Sequence, residues 1–266
     1  MAAEQTARPK RAIPPALYPA LGVALVLAVF EIAPRIDLLP RQFFPPVGED
    51  LTTLWDQVQT AVFWSAVWET TKGWAIGLGA AFITAVPVGI ALGSSEVLGR
   101  AFRGVVEFLR PIPSVALVPM AILVFGRGLD LKVFLVVFAA FWPLLIQAMY
   151  GVRAVDPVAI ETARSYRLGR ASRMIRIVLP SSMPYIATGV RIASAVALIL
   201  AVTAELVVGV PGLGREIFLS QSGGLVRRMY AYIIATGLLG WGLNSVLQKG
   251  ERKLLRWDVA NRESVT

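Results

Sequence analysis

The chain is 266 residues long, 56% apolar and only 16% charged, with a net charge of +9. That balance points to lipid, and the arginines fall between apolar runs with no interleaved base-stacking residues, so no nucleic-acid partner is expected. Without a cysteine or a histidine, disulfides, thiol chemistry, Cys/His zinc sites and a Ser-His-Asp relay are excluded, and no metal site is expected because any metal would have to use carboxylates.

Runs of apolar residues bounded by charge or proline give six candidate membrane spans, at about 14–33, 70–93, 113–125, 131–150, 184–208 and 229–248. A helix of about 20 apolar residues crosses the roughly 30 Å hydrocarbon layer. The start, with Arg8, Lys10 and Arg11 ahead of an apolar run from Ala16 to Ile32, has the polarity of a signal peptide. Its run is too long for a signal core and lacks a small-residue cleavage pattern, so it is read as a retained first span. Residues 34–69 follow, with PPVGED, DLTTLWDQV and tryptophans at 55, 64 and 68. They form either a helix lying at the outer interface or a plain connecting loop.

In the second span Gly73 and Gly77, then Gly89 and Gly93, are four residues apart, a spacing that lets another backbone approach closely. The third is short, and Pro111, Pro113 and Pro119 remove backbone donors, which suits a broken helix lining a cavity as well as a straight span. With the N-terminus placed inside, Arg100, Arg103, Arg110, Arg153, Arg164, Arg167, Arg170, Arg173 and Arg176 fall in two cytoplasmic loops. Lys249, Arg252, Lys253, Arg256 and Arg262 form a basic cytoplasmic tail. External segments hold fewer, namely Arg35, Arg41, Arg127, Lys132, Arg215, Arg227 and Arg228. This asymmetry predicts both termini inside.

Between the fourth and fifth spans lies DPVAIETARSYRLGRASRMIRIVLPSSMP, residues 156–184, too long for a tight turn. Asp156 followed by Pro157 is a helix start, Ile160, Ala163 and Tyr166 recur at helical spacing, and Arg164 and Arg167 lie off that stripe. Gly169 is the expected stop, through a reversed backbone, and Pro180 and Pro184 are expected to end a second basic stretch from Ser172 to Leu179. A short amphipathic helix of this kind suits either a groove in a soluble partner or an anionic lipid surface.

The stretch resembles the EAA loop of ABC importer permeases, through Glu161, Ala163, Leu179 and Pro180, with Thr162 where alanine is usual. Residues 184–214, 110–128 and 141–152 are similar to the nitrate, sulfonate and taurine permease group, and the likeness covers roughly 66–248. One departure is that ungapped alignment puts Arg167 where the family glycine stands, with Gly169 two residues later, which implies a displaced turn.

The resemblance implies an all-α membrane protein of six transmembrane helices, with a coupling helix at about 157–167 docking on a separate ATPase. Glu161, Ala163, Arg164, Arg167, Gly169, Leu179 and Pro180 would form that contact. Its three segments would be 1–65 (tail, first span and external segment), 66–248 (permease core) and 249–266 (basic tail). Its partners would be an ABC ATPase dimer, a periplasmic or lipid-anchored solute-binding protein, a second copy of itself and membrane lipid. ATP and Mg would bind on the ATPase, and no cofactor on this chain. The place would be a bacterial inner membrane, and the cargo a small anion of sulfonate, taurine or nitrate type.

Within the fifth span Arg191 and Glu205 are 14 residues apart, about 21 Å along a helix, so each needs another partner. Arg191 either snorkels to the inner interface or faces a path, and Glu205 either braces the following VVGVPGLG loop or lines a gate. Gln147, Tyr150, Ser194 and Thr203 are further polar candidates for a solute path, though helix-to-helix hydrogen bonding is the commoner use of such residues. No G-x-x-x-x-G-K-[ST] loop occurs anywhere, so an ATPase site of its own is excluded. The competing function is an ion-gradient-driven secondary transporter or channel using Glu205 as its ion site.

Overall fold

A computed structural model describes residues 17–255, and among these there is no strand. Residues 14–16 of the first expected span, and Arg256 and Arg262 of the tail, lie outside the described residues. The elements are α1 (Leu17–Ile32), α2 (Val47–Val58), α3 (Ala61–Ser94), α4 (Glu96–Leu109), α5 (Val118–Phe125), α6 (Leu129–Arg153), α7 (Pro157–Ser165), α8 (Arg170–Arg173), α9 (Leu179–Val208), α10 (Leu213–Ser222) and α11 (Val226–Leu254).

Four helical stretches are long and apolar enough to cross a membrane: Ala61–Ser94, Leu129–Arg153, Arg170–Val208 and Val226–Leu254. The expected third span is bent. α4 and the segment Ser114–Phe125 meet at 79° and together count as at most a fifth crossing. Pro111 and Pro113 stand at the break, where a missing donor and a fixed φ end one helix and let a 3-10 turn at Ser114–Leu117 start the next. Over its described length α1 has 16 residues, about 24 Å at 1.5 Å per residue.

α3, α6 and α9 make the core. Lipid tails give no hydrophobic incentive for helices to associate, so the contact depends on close backbone approach. Small residues provide it: Ala81, Ala85, Ala139, Ala140, Ala148, Ala193, Ala197 and Ala201 are buried in one cluster. The expected glycine pairs of α3 all lie against α6. A methyl group on Gly89 would stand 2.6 Å from the Leu145 carbonyl oxygen, and one on Gly93 3.0 Å from that of Met149. Gly77 meets Val136, and Gly73 meets the Lys132 side chain. On the other side of α6, Gly151 faces Ser182 and Tyr185, and Gly189 faces Gln147.

These contacts fix direction. α3 and α6 run in parallel and α9 runs against them. α7 and α8 therefore stand at one end, with Arg153, Arg164, Arg167, Arg170 and Arg173, while α2 and α10 cap the other. We call these the basic end and the opposite end.

Three sequence expectations are corrected here. The second span starts earlier than residue 70: α3 begins at Ala61, whose N-cap Thr60 accepts a hydrogen bond from the Phe63 N–H at 3.3 Å. Trp64 and Trp68 consequently sit on a long helix, and of the three tryptophans Trp55 alone is on α2. Pro180 and Pro184 do not stop a helix. The chain passes through both into α9, with a π turn at Met174–Val178 just before Pro180, where the wider turn accommodates a residue with no N–H and a bulky ring. Lys132 is not an external-loop charge, since it lies inside α6 and is 1% exposed.

Candidate functional site

At the basic end α7 starts as its sequence dictates. The Asp156 carboxylate accepts from the Val158 N–H at 2.8 Å and Pro157 occupies the first turn, satisfying one of the orphan donors of a helix start. Ala163 is buried at 3%, while Glu161, Arg164 and Arg167 are exposed. Tyr166, expected on the buried stripe, is 79% exposed. It is the C-cap of α7, beyond the last regular turn, so helical spacing no longer governs where it points.

Gly169 does not make the turn. Arg167 does, at φ 55°, whereas Gly169 is extended at φ −61° and ψ 161°. The Leu168 N–H donates to the Ala163 carbonyl at 3.0 Å, and the Arg167 N–H to that of Arg164 at 2.8 Å. This pair of bonds is the Schellman termination, in which the residue after the C-cap is left-handed. The turn thus stands where the glycine of the EAA pattern stands, undisplaced, with an arginine in the strained position.

At the opposite end Glu205 and Lys132 supply the partner that sequence reasoning left unassigned. Their side chains are 0% and 2% exposed and meet at 2.7 Å. Lys132 Nζ donates also to the Glu69 carbonyl at 3.0 Å and the Pro211 carbonyl at 2.7 Å, so its three N–H groups are all used. Glu205 Oε2 accepts from the Thr70 hydroxyl and the Gly214 N–H, both at 2.9 Å, and the Thr70 oxygen accepts from the Leu213 N–H at 2.9 Å. One cluster therefore ties α3, α6, α9 and the start of α10. Gly212, at φ 150°, lies where any side chain would overlap the Glu205 carboxylate. The signal that could have found Lys132 is the glycine four residues before Gly77: at Gly73 the neighbour admitted is a lysine stem.

Arg191 does not meet Glu205. Its guanidinium is 3.7 Å from Glu251 on α11, with the side chain 40% exposed. Between the ends, a cavity of about 410 Å³ opens where the α4–α5 break faces α6 and α9, lined among others by Arg110, Ser114, Trp142 and Gln147. The Trp142 indole N–H is buried there with no hydrogen-bond partner. Of the polar candidates, Gln147 reaches this cavity. Tyr150 lines a second one of about 740 Å³ beneath α4. Ser194 is buried, and its carbonyl accepts from the Trp74 indole at 3.1 Å, while Thr203 bonds back to the Ile199 carbonyl at 2.7 Å. Leu179 and Pro180 lie after the π turn, where the chain re-enters the helical core.

Long apolar helices packed through glycine and alanine, one broken helix beside a cavity, and a capped helical turn projecting from one end together define a polytopic membrane protein. Residues 85–249 match the family described as binding-protein-dependent transport system inner membrane component. The taurine transport system permease protein TauC of Escherichia coli is 30% identical over 243 residues, 88% of this chain and 87% of that protein. The bicarbonate transport system permease protein CmpB of Synechococcus elongatus is 30% identical, over 73% of this chain and 70% of its own. The nitrate import permease protein NrtB of Leptolyngbya laminosa is 28% identical, over 79% and 72%. Among solved structures, a chain of the MetNI methionine ABC transporter in an inward-facing conformation superposes with a TM-score of 0.65 at 18% identity, covering 73% of this chain and 96% of that one. The chain belongs to the family of binding-protein-dependent transport system inner membrane components, and it is an ABC importer permease.

Proposed function

We propose that two copies of this chain surround a central path for a small anion, six spans each, with the basic end in the cytoplasm of a bacterium and both termini inside. α1 and the bent α4–α5 segment complete the six. α7 seats in a groove of a separate ATPase dimer, which carries ATP and Mg, and a solute-binding protein delivers cargo at the opposite end. ATP binding closes the ATPase pair, and α7 transmits that closure to α6 and α9, turning the path outward. The three segments, 1–65, 66–248 and 249–266, serve as cytoplasmic tail with first span and external segment, as permease core and as basic cytoplasmic tail, although α3 already begins at Ala61.

The carrying observation is α7 itself. It has one buried small residue, Ala163, and an outward face of Val158, Glu161 and Tyr166 with nothing on it among the described residues. Cargo of the sulfonate, taurine, bicarbonate or nitrate kind is supported by the names of the relatives, and by Arg110 among the residues lining the cavity at the break. An ion-gradient mechanism is not favoured, because its ion site would be Glu205, whose oxygens are occupied by Lys132, Thr70 and Gly214.

The test is Glu161→Lys. In vesicles holding permease, ATPase and binding protein, the variant inserts normally but ATP-driven uptake falls at least tenfold while ATPase activity becomes independent of the binding protein. Normal uptake by this variant, or uptake abolished by an uncoupler with ATP present, refutes the assignment.

A further inference from the structure

A cavity of about 410 Å³ lies at the basic end, between the tips of α3 and α6, α7, and the start of the α8–α9 stretch. Its floor is apolar, with Val152, Ile160 and Val178, and its other charged lining residues are Arg164, Arg170 and Arg173. No carboxylate lines it, and among the described residues none of the three arginines is within ion-pair distance of an acid. This sets it apart from the larger cavity beneath α4. There Arg100 is paired with Glu96 at 2.9 Å and Arg103 with Glu107 at 2.7 Å, so two carboxylates offset part of the charge of that cavity, although Arg110 and Arg153 also line it.

Three guanidinium groups around one opening leave a charge that calls for an anion able to accept several N–H bonds at once. A phosphate diester does this, and arginine is the side chain suited to gripping it in paired fashion. The apolar floor adds a second requirement. A free ion would leave Val152, Ile160 and Val178 uncovered, whereas an amphiphile puts its phosphate at the arginines and its glycerol and first methylenes on the valines. The cavity volume lies within the usual range for small-ligand pockets, about 300–1,000 Å³. Its position, at the level where α3 and α6 end, is that of the headgroup layer, and basic pockets between spans on the cytoplasmic side are suited to acidic headgroups.

We infer that this cavity is a binding site for the phosphate of an anionic phospholipid of the inner leaflet, held behind α7 by Arg164, Arg170 and Arg173. The leaflet rests on the orientation proposed above, while the chemistry rests on the cavity alone. A bound headgroup fills the space between α7 and the spans it must move, so α7 is stiffened against α6 and α9 at the point where force is transmitted.

The experiment uses the full permease–ATPase assembly, delipidated and then exposed to dioleoyl phosphatidylglycerol or dioleoyl phosphatidylcholine, with retained lipid counted by native mass spectrometry. Wild type should retain phosphatidylglycerol in preference to phosphatidylcholine. Each arginine replaced by glutamine should weaken retention about fivefold, roughly a hundredfold for Arg164→Gln, Arg170→Gln and Arg173→Gln together. Three Arg→Lys changes at the same sites should keep the anionic preference, and Arg100→Gln with Arg103→Gln should leave retention as it was. Millimolar inorganic phosphate should not displace the lipid.

Equal retention of the two lipids, or unchanged retention in the triple glutamine variant, overturns the inference. Complete displacement by inorganic phosphate overturns it too, by showing a site for a soluble anion. Should the triple variant fail to assemble, the single Arg170→Gln variant carries the fivefold test. Loss of the ATPase during purification would count against the coupling role of α7, yet lipid retention by the permease would still be readable.

Discussion

Replacing Lys132 by methionine keeps the stem that fills the groove beside Gly73 and removes the charge. Glu205, with its side chain 0% exposed, then keeps only the Thr70 hydroxyl and the Gly214 N–H. Stranding a buried charge in this way costs about 3–5 kcal/mol, and the Glu69 and Pro211 carbonyls lose their donor as well. Glu205→Met strands the ammonium instead, with a cost of the same order. The double variant strands neither charge. It leaves the Gly214 N–H without an acceptor, the Thr70 hydroxyl without its carboxylate and the Glu69 and Pro211 carbonyls without their donor, and about 1–3 kcal/mol is the expected penalty for buried polar groups left unpaired in this way. The double variant should therefore be no less stable than either single one, with an interaction free energy of at least about 3 kcal/mol in a double-mutant cycle. Thermal and SDS denaturation of the purified protein in detergent measure all four corners. If the two single costs simply add in the double variant, or if Lys132→Met costs under about 1 kcal/mol, the cluster does not hold α3, α6, α9 and α10 together as described.

Three further outcomes follow from single positions. Arg167→Gly relieves a left-handed residue at the end of α7 and should stabilise that turn by up to about 1 kcal/mol, read as slower amide exchange at Leu168. Gly89→Ala pushes a methyl against the Leu145 carbonyl and should cost about 1–3 kcal/mol, whereas Gly104→Ala, with nothing within 4 Å of the added carbon, should be neutral or stabilising. Thermal midpoints of the two variants decide it. Asp50 on α2 is 4% exposed, with one carboxylate oxygen unpaired, and its pKa is raised from 3.8 to about 6 by burial first, then by Glu49 and Glu31 against the opposing pull of Arg227. The folded state thus holds the proton more tightly than the unfolded one, so stability is greatest below about pH 4 in this respect and falls as pH rises through 6. Asp50→Asn should flatten that slope and gain roughly 2 kcal/mol at neutral pH, measured by denaturation at pH 5 and pH 7.5.

The spans, the glycine faces of α3 and the start of α7 were legible because each rests on a local rule: hydropathy over a window, close approach at four-residue spacing, an acceptor ahead of a proline. What escaped has a common cause. Lys132 was counted as a loop charge because a single basic residue near a span end ordinarily lies outside. Its burial depends on the Glu69 carbonyl, Glu205 and the Pro211 carbonyl, which are 63, 73 and 79 residues away in the chain, and on a glycine that makes room for its stem. Pro180 reads as a stop because proline breaks an α-helix, and the π turn that carries the chain past it has no comparable local mark. Arg167 shows the opposite case. Its residue type argues against a left-handed turn, which is why the turn is expected two residues later at Gly169, yet the backbone turns at Arg167. The ends of α7 are therefore set by the geometry the turn must deliver, with about 1 kcal/mol of strain accepted at Arg167, and that cost is small beside the contribution of burying Ala163 and closing two carbonyls in the Schellman turn.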